Sequence, residues 1–320
     1  MTNSENNTLF TLQDELILAP MQNLTSLFFR KSFSKFFPMQ FNWAITPFIS
    51  ATKGVISSSK TFEDVNPSKN YGLIPIVPQI LGNKAEDILH VAQILEEMGY
   101  KEVNLNMGCP KRDIVSHKRG SGLLKEADTI RNIFDSIFTK TNLQLSIKVR
   151  LGVKNKEDLR LLLPILNSYP LKSITIHPRT ALQQYNGETD LQEFDFLCQN
   201  IKHTIIYNGN IFSLSDFNKL KSRFPFINHW MIGRGVLENP FLPSEIRGEK
   251  PTNKKNILIK YIISLEKNYS ESLLHQNELA ILNKMKEFAK YITKGATINA
   301  TPFLHAQSLN EIISLFQNNL

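Results

Sequence analysis

The sequence predicts a parallel (β/α)8 barrel, a TIM barrel, followed by a small all-helical C-terminal domain. Eight short apolar or β-branched segments recur between residues 15 and 235, helical patterns lie between most of them, and helix periodicity alone remains after about residue 253. Such alternation is typical of parallel strands joined by crossover helices. A doubly wound sheet is the competing class, but its glycine-rich first turn is missing, since the first turn reads APMQN.

The strands are predicted where apolar runs end in polar, glycine or proline residues. They cover 15–20, 42–49, 74–81, 102–108, 143–152, 173–180, 203–210 and 229–235. The clearest helix is predicted at 84–99, where Ile88, Val91 and Leu95 belong to one apolar stripe. Shorter helices are predicted at 156–169 and 213–224. The polar stretch 50–72 is expected to form an excursion over the mouth of the barrel.

Two domains are expected, a barrel domain at 1–245 and a helical domain at 246–320. The tail has helical patterns at 254–269, 275–294 and 308–320. In the middle one, Lys286, Lys290 and Lys294 repeat at i, i+4 and i+8 and form one basic face, beside Lys284. Such a face either binds an anionic partner or is simply solvated.

The charge balance also favours an anionic partner. The net charge is +8, and residues 101–125 contain six basic residues against two acidic ones, which leaves +4 in that segment alone. A solvated basic loop explains the segment equally well. Two cysteines cannot build a disulfide framework. With no signal peptide and no apolar run of bilayer length, the expectation is a cytoplasmic monomer without a metal site.

Polar or turn residues stand at the carboxyl end of nearly every predicted strand, where a barrel builds its active site. They are Pro20, Met21, Gln22, Gln79, Asn106, Cys109, Lys148, Arg150, His177, Arg179, Tyr185, Asn208, Gly209, Asn210, Gly233, Arg234 and Gly235. Packing explains any one of them alone. Their convergence indicates a ligand, because a buried unpaired donor costs about 1–3 kcal/mol.

The ligand that fits these groups is flavin mononucleotide (FMN). Gln79 and Asn208 can pair with an amide edge, and Lys148 can lie near the N1/O2 edge, where reduction leaves negative charge. The glycines after the seventh and eighth strands let backbone N–H groups approach a phosphate, and Arg234 can neutralise it.

Cys109 follows the fourth strand between Gly108 and Pro110. Neighbouring cations favour a thiolate nucleophile, whereas a thiol kept protonated can act as an acid. Opposite a reduced flavin, a cysteine can protonate the carbanion or enolate that hydride transfer leaves. The alternative is a structural cysteine, the interpretation favoured for Cys198 on its predicted helix.

The chain resembles the tRNA-dihydrouridine synthases from about residue 15 onward, and its tail is most similar to the bacterial C subgroup. The motifs that carry the resemblance are LAPMQNLTSLFFR, VPQILG, VNLNMGCPKRDIV, GSGLLK, IKVRLG, ITIHPRT, YNGNI and MIGRGVLENP. The resemblance implies FMN-dependent reduction of the C5=C6 bond of a D-loop uridine in tRNA. Flavin N5 would send hydride to C6, Cys109 would protonate C5, and NADPH, or NADH, would reload the flavin.

The resemblance also implies residue roles. The FMN contacts would be Pro20, Met21, Gln22, Gln79, Lys148, His177, Asn208, Gly209, Asn210, Gly233 and Arg234. Asn106 and Arg150 would face the uracil with Tyr185 nearby, and Arg179 is assigned to the same substrate-binding group. The helical tail would hold the tRNA backbone through Lys284, Lys286 and Lys290.

Four positions depart from the family pattern. Asn23 stands where glycine is common, Asn210 where an acid is usual, and Lys111 where the residue is often small. Ser50 matches the position of an arginine that touches RNA in the C subgroup. These departures leave open which uridine is reduced.

Two other functions remain open from the sequence. One is an FMN-linked barrel oxidoreductase acting on a small enone or pyrimidine. The other is a non-catalytic RNA-binding barrel, which predicts RNA affinity without bound flavin.

Overall fold

The computed structural model describes residues 7–52, 59–272 and 278–320. Parallel strand segments form the inner wall of the barrel. They are β1 Glu15–Leu18, β2 Trp43–Ile45, β3 Ile49–Ser50, β4 Ile76–Val77, β5 Gln79–Leu81, β6 Glu102–Met107, β7 Gln144–Gly152, β8 Ser173–Thr180, β9 Thr204–Asn208 and β10 His229–Ile232.

Ten strand segments form eight barrel strands, because two of the strands are each split into two segments. β2 and β3 together form the second strand, and β4 and β5 form the third, since Ala44 lies opposite Ile76 and Ile49 opposite Ile80. β10 pairs with β1 and completes the ring, with Ile17 opposite Met231. Every barrel strand therefore has two parallel neighbours, and the predicted eight-stranded barrel is confirmed.

Helices surround the barrel and form the C-terminal region. They are α1 Leu27–Phe36, α2 Pro67–Asn70, α3 Ala85–Glu97, α4 Arg112–Ser116, α5 Ala127–Lys140, α6 Glu157–Leu166, α7 Leu191–Asn200, α8 Leu214–Arg223, α9 Arg234–Glu238, α10 Leu242–Ile246, α11 Lys254–Ser272, α12 Glu278–Gly295, α13 Thr301–His305 and α14 Leu309–Asn319. Two 3-10 helices lie at Ser59–Val65 and Gly120–Lys125. Among the described helices, none has both the length and the apolar character that crossing a bilayer requires.

The barrel interior has an apolar side and a polar side. Ile17, Ile45 and Met231 belong to a small apolar cluster separate from the main core. On the other side, Gln79 Nε2 donates to Asn104 Oδ1 at 2.8 Å, and Asn104 Nδ2 donates to Ser146 Oγ at 3.0 Å. Alternating strand residues thus place an amide network beneath the side of the barrel mouth that holds the cysteine.

The helical tail packs directly on barrel helix α1. The ring of Tyr261 meets that of Phe29 edge-on at 6.4 Å, and the ring of Phe288 stacks on Phe29 at 6.1 Å. Asn268 Nδ2 also donates to Ser32 Oγ at 2.7 Å. One hydrophobic core therefore continues across the predicted boundary at 245/246, which falls inside α10.

The part of the stretch 50–72 that the structure describes does not cover the barrel mouth. The buried guanidinium of Arg30 on α1 donates to Asp64 Oδ2 at 3.2 Å and to Asn70 Oδ1 at 3.0 Å. None of residues 61–72 is among those that line the cavity at the mouth. The expected excursion over the mouth is thus wrong for 61–72, because ionic and polar contacts hold this segment against α1. Residues 53–58 and the side chains of residues 59 and 60 lie outside what the structure describes.

Candidate active site

A cavity of about 400 Å³ opens at the carboxyl end of the barrel strands. This volume lies in the usual range for small-molecule and cofactor sites. The sequence-predicted residues that line it are Pro20, Met21, Gln22, Asn106, Cys109, Lys148, Arg150, His177, Tyr185, Asn208, Gly209, Asn210, Gly233 and Arg234. Helix α12 of the tail completes the wall with Glu287 and Tyr291.

The backbone of Cys109 is held from two sides. Asn106 Oδ1 accepts from the backbone N–H of Gly108 at 3.1 Å and of Cys109 at 2.9 Å. The carbonyl of Cys109 accepts from the N–H of Ser121 at 3.1 Å and from its hydroxyl at 2.9 Å. Asn106, predicted to face the uracil, therefore also orients the cysteine turn.

Gly120 allows the close approach of the two loops. It has φ +57°, and a Cβ there would lie 2.8 Å from the carbonyl oxygen of Cys109. Sequence reasoning used the stretch GSGLLK only as a family signature and missed the role of Ser121. The available signal was the pair of glycines on either side of the serine, because glycines at such spacing indicate that another segment of main chain lies very close.

The Cys109 thiol stays protonated at neutral pH. Burial raises its pKa, and the opposing effects of the Lys111 N–H and of the Lys111 and Arg150 charges do not cancel that rise. The sequence left thiolate and thiol open. The structure favours the thiol, the form that can donate a proton.

Lys148 presents an amine deep in the cavity. Its Nζ donates to Asn208 Oδ1 at 2.7 Å, while Asn208 Nδ2 donates to the carbonyl of Met231 at 2.9 Å and so fixes the amide orientation. Burial, aided by the positive charge of Arg150, lowers the Lys148 pKa to about 7. A negative charge on a ligand would favour the protonated form.

Arg179 defines the tautomer of His177. Its Nη1 lies 3.0 Å from His177 Nε2. Because a guanidinium only donates, Nε2 accepts and the ring proton is on Nδ1. Burial, with the nearby Arg150 and Lys148 charges, holds the His177 pKa well below its usual value. His177 therefore lines the cavity as a neutral imidazole.

Arg150 joins the cysteine turn to the loop after β8. Its Nε donates to the carbonyl of Gly108 at 3.1 Å, and its Nη1 donates to the carbonyls of Thr180 at 2.9 Å and Gln184 at 2.6 Å. The guanidinium carbon also lies 5.5 Å from the centre of the Tyr185 ring. Arg150 therefore fixes the relative positions of Cys109 and Tyr185.

Two predicted site residues lie behind the cavity wall. Gln79 is 0% exposed, and its amide bonds Asn104 and Asn106. Arg179 is 1% exposed and also donates to the carbonyl of Gly187 at 2.6 Å. Both support residues that line the cavity. The predicted contacts of Gln79 with FMN and of Arg179 with substrate stay predictions.

Two of the departures from the family pattern have a backbone explanation. Asn23 has φ 68° and Asn210 has φ 43°. Asparagine is among the few residues besides glycine that readily adopt this left-handed region. Asn210 Oδ1 also accepts from Arg179 Nη2 at 3.0 Å and from Arg234 Nη2 at 3.4 Å. Its carbonyl thus occupies a position where an acid would also be stabilised.

The other two departures lie in different surroundings. Lys111 is exposed and lines the cavity beside Cys109. Ser50 lies opposite Leu81 at the end of β3, and it is not among the residues that line the cavity.

Replacement of Asn23 tests the backbone explanation. Asn23→Gly should change the free energy of unfolding by less than about 0.5 kcal/mol. Asn23→Val should lower it by about 1–2 kcal/mol, because a β-branched residue is strained at this φ. Urea unfolding of the two variants measures the difference, and equal losses would contradict the explanation.

The charge of the cavity wall fits a flavin nucleotide. Among the described lining residues, Lys111, Lys148, Arg150 and Arg234 are basic and only Glu287 is acidic. Such a wall favours an anionic ligand, and the Asn208 and Asn210 amides add hydrogen-bonding edges. Lys148, whose amine has no carboxylate partner in the described chain, would gain its charge partner from that ligand.

Fold and cavity together define a barrel enzyme with a cofactor site at the carboxyl end of its strands. Solved structures show the same fold: morphinone reductase matches with a TM-score of 0.54 and 12% identity, over 78% of this chain and 92% of that chain. The old yellow enzyme from Trypanosoma cruzi matches with a TM-score of 0.53 and 10% identity, over the same two shares.

Residues 17–311 match the family model described as dihydrouridine synthase. The chain belongs to the dihydrouridine synthase family, and it is a flavin-dependent oxidoreductase. A probable tRNA-dihydrouridine synthase of Rickettsia typhi is 26% identical over 275 residues, 82% of each chain. The tRNA-dihydrouridine(16) synthase of Neisseria meningitidis is 26% identical over 238 residues, 72% of this chain and 71% of its own length.

Proposed function

We propose that this protein reduces the C5=C6 bond of a uridine in the D loop of tRNA, in the cytoplasm, with FMN as its flavin and NADPH or NADH as reductant. The observation that carries the proposal is that Cys109 and Lys148 line the same cavity at the carboxyl end of the barrel. Burial raises the pKa of the Cys109 thiol, which favours the form that can donate a proton. Relatives named tRNA-dihydrouridine synthase support the choice of substrate.

The cavity residues divide into a flavin-binding group and a uracil-binding group. The proposed flavin contacts are Pro20, Met21, Gln22, Gln79, Lys148, His177, Asn208, Gly209, Asn210, Gly233 and Arg234. When bound, the flavin supplies the hydride. Lys148 contributes positive charge, and His177 contributes an Nδ1–H donor whose position Arg179 fixes.

Cys109 delivers the proton at C5 of the uracil. Asn106 and Ser121 hold its backbone, so the Cα–Cβ bond of Cys109 keeps a fixed direction relative to the cavity. The ring of Tyr185 is 42% exposed, and the guanidinium carbons of Arg150 and Arg234 lie 5.5 and 4.5 Å from its centre. Such a ring offers a stacking surface to a base that has left its own stack.

The direct test uses the purified protein with unmodified tRNA, NADPH and FMN. Dihydrouridine should accumulate in the tRNA, and nucleoside mass spectrometry measures it. Reduction of free uracil or an enone without reduction of tRNA would contradict the proposal. So would tRNA binding by a protein that takes up no flavin.

Two lysines of α12 are proposed to bind the tRNA backbone. Lys286 and Lys290 are partly or fully exposed, and within the described chain neither side chain forms an ion pair or hydrogen bond. Changing both to glutamine should weaken tRNA binding and flatten the plot of log affinity against log salt by about 1–2 units, because each phosphate contact contributes roughly 0.7–0.9. Filter binding over a salt series measures the slope.

Lys140 and Lys202 provide the matched control for that experiment. Both are exposed, and they lead into β7 and β9 at the end of the barrel opposite the cavity. Their double glutamine variant should keep the wild-type slope. A slope unchanged by the Lys286 and Lys290 changes, or lowered equally by the control, would contradict tRNA binding along α12.

A further inference from the structure

Helix α12 is fixed to the barrel near both of its ends. Near its start, Lys284 reaches the loop that follows β1. At its end, Gly295 lies so close to the carbonyl of Glu238 in α9 that an added Cβ would be 1.8 Å from that oxygen. Between these points, Glu287 and Tyr291 line the cavity. The helix is therefore part of the cavity wall.

Lys284 is engaged inside the protein. Its Nζ donates to the carbonyl of Asn23 at 2.9 Å and to Glu287 Oε2 at 2.6 Å. The side chain is only 17% exposed. Two of its three N–H groups are thus used, and little of its surface is available to a phosphate.

The carbonyl that Lys284 holds belongs to a tight turn in the cavity wall. The N–H groups of Leu24 and Thr25 both donate to the carbonyl of Met21, at 2.9 and 3.0 Å. Met21, Gln22 and Asn23 all line the cavity, and Asn23 has the left-handed backbone that directs its carbonyl. A bond to that carbonyl therefore constrains the wall formed by residues 21–23.

We propose that Lys284 is a positioning residue of the flavin cavity and not a phosphate contact, a role different from the one expected for it from the sequence. It fixes the turn at 21–24 against α12, and it neutralises Glu287 at the rim. The proposal rests on the proposed function, since it names the flavin as the ligand that the cavity wall holds.

Loss of Lys284 acts on the flavin in two ways. The turn at 21–24 loses its link to α12, so the wall is less well organised before the ligand binds. The Glu287 carboxylate also loses its partner at the rim of a cavity for an anionic nucleotide, and like charges repel. Both effects lower flavin affinity, and neither removes a cation from a phosphate of the RNA.

The test compares two glutamine variants on the same helix, Lys284→Gln and Lys290→Gln, which remove the same charge. Flavin-free protein is titrated with FMN by fluorescence quenching, and tRNA affinity is measured over a salt series. Lys284→Gln should weaken FMN binding about tenfold and keep the wild-type salt slope. Lys290→Gln should keep FMN affinity and flatten the slope.

Two further variants keep the proposal falsifiable. Lys284→Arg retains the charge and a donor, and it should restore most of the FMN affinity. Adding Glu287→Gln to Lys284→Gln should recover part of the loss, because the unpaired carboxylate is gone. Normal FMN affinity in Lys284→Gln, or a flattened salt slope, would overturn the positioning role, whereas wild-type protein that binds no FMN would contradict the proposed function itself.

Discussion

Cys109→Ala is expected to retain FMN and tRNA binding and to lose about 10²- to 10⁴-fold in turnover. A positioned general acid contributes rate enhancement of this size. The side chains of Asn106 and Ser121 bond the N–H and the carbonyl of Cys109. An alanine has the same main-chain groups, so it keeps these bonds and the loop should keep its shape. Single-turnover formation of dihydrouridine, with flavin and tRNA affinities measured separately, isolates the loss of the proton donor.

Cys198→Ala is the matched control. Cys198 lies on α7, where burial raises its pKa to about 12, and it does not line the cavity. This variant should turn over at the wild-type rate. A Cys109→Ala enzyme with more than about a tenth of wild-type turnover would contradict the acid role.

The pH profile gives a second readout of Cys109. Because burial raises the thiol pKa above its ordinary value, the acid form persists through neutral pH, and the wild-type rate should fall only on the alkaline side. The residual rate of Cys109→Ala should lack that alkaline fall. A thiolate nucleophile would give the opposite dependence, with the rate rising as the thiol loses its proton.

The barrel and the location of its site could be predicted because both depend on local patterns. Strand ends show in the sequence as apolar runs that stop at polar residues, and parallel topology gathers those ends at one face. Lys148, His177 and Asn208 were found in this way, and all three line the cavity. The side-chain period of two also places His177 and Arg179 on the same side of β8, which makes their contact predictable in retrospect.

The contacts that were missed join residues far apart in the chain. Lys284 bonds a carbonyl 261 positions away, and no local pattern distinguishes it from Lys286 or Lys290 on the same helix. The course of residues 59–72 depends likewise on a buried arginine in α1, Arg30. Periodicity gives the face of a helix, but the partner of that face depends on packing between elements.

Lys148→Met is expected to impair the flavin chemistry and to stabilise the flavin-free protein. Removing a cation placed for charge stabilisation should slow flavin reduction by NADPH about 10²-fold, measured by stopped-flow bleaching of the flavin. Methionine fills similar space without a charge to bury. The free energy of unfolding of flavin-free protein should rise by about 1–3 kcal/mol at pH 6, part of the gain being offset by the lost bond to Asn208.

The pH dependence of that gain follows from linkage. Lys148 has a pKa of about 7 in the folded protein against an ordinary value of 10.5, so between these values the unfolded chain binds the extra proton. The free energy of unfolding of the wild-type protein therefore receives a contribution from Lys148 that increases between pH 7 and 10.5. The methionine variant lacks this contribution. The stability difference between the two should be largest below pH 7 and should disappear as pH approaches 10.5.

Lys221→Met is the matched control because it removes another buried lysine with the opposite expected sign. Lys221 Nζ bonds Asp14 Oδ1 at 2.7 Å and the carbonyl of Ile227 at 3.0 Å. Its loss leaves the buried Asp14 carboxylate without its cationic partner, which should cost about 3–5 kcal/mol and leave the rate of flavin reduction unchanged. If Lys148→Met also lowered the free energy of unfolding, the contacts of the Lys148 amine within the protein would outweigh the cost of burying its charge. The inferred need for an anionic ligand beside Lys148 would then be lost.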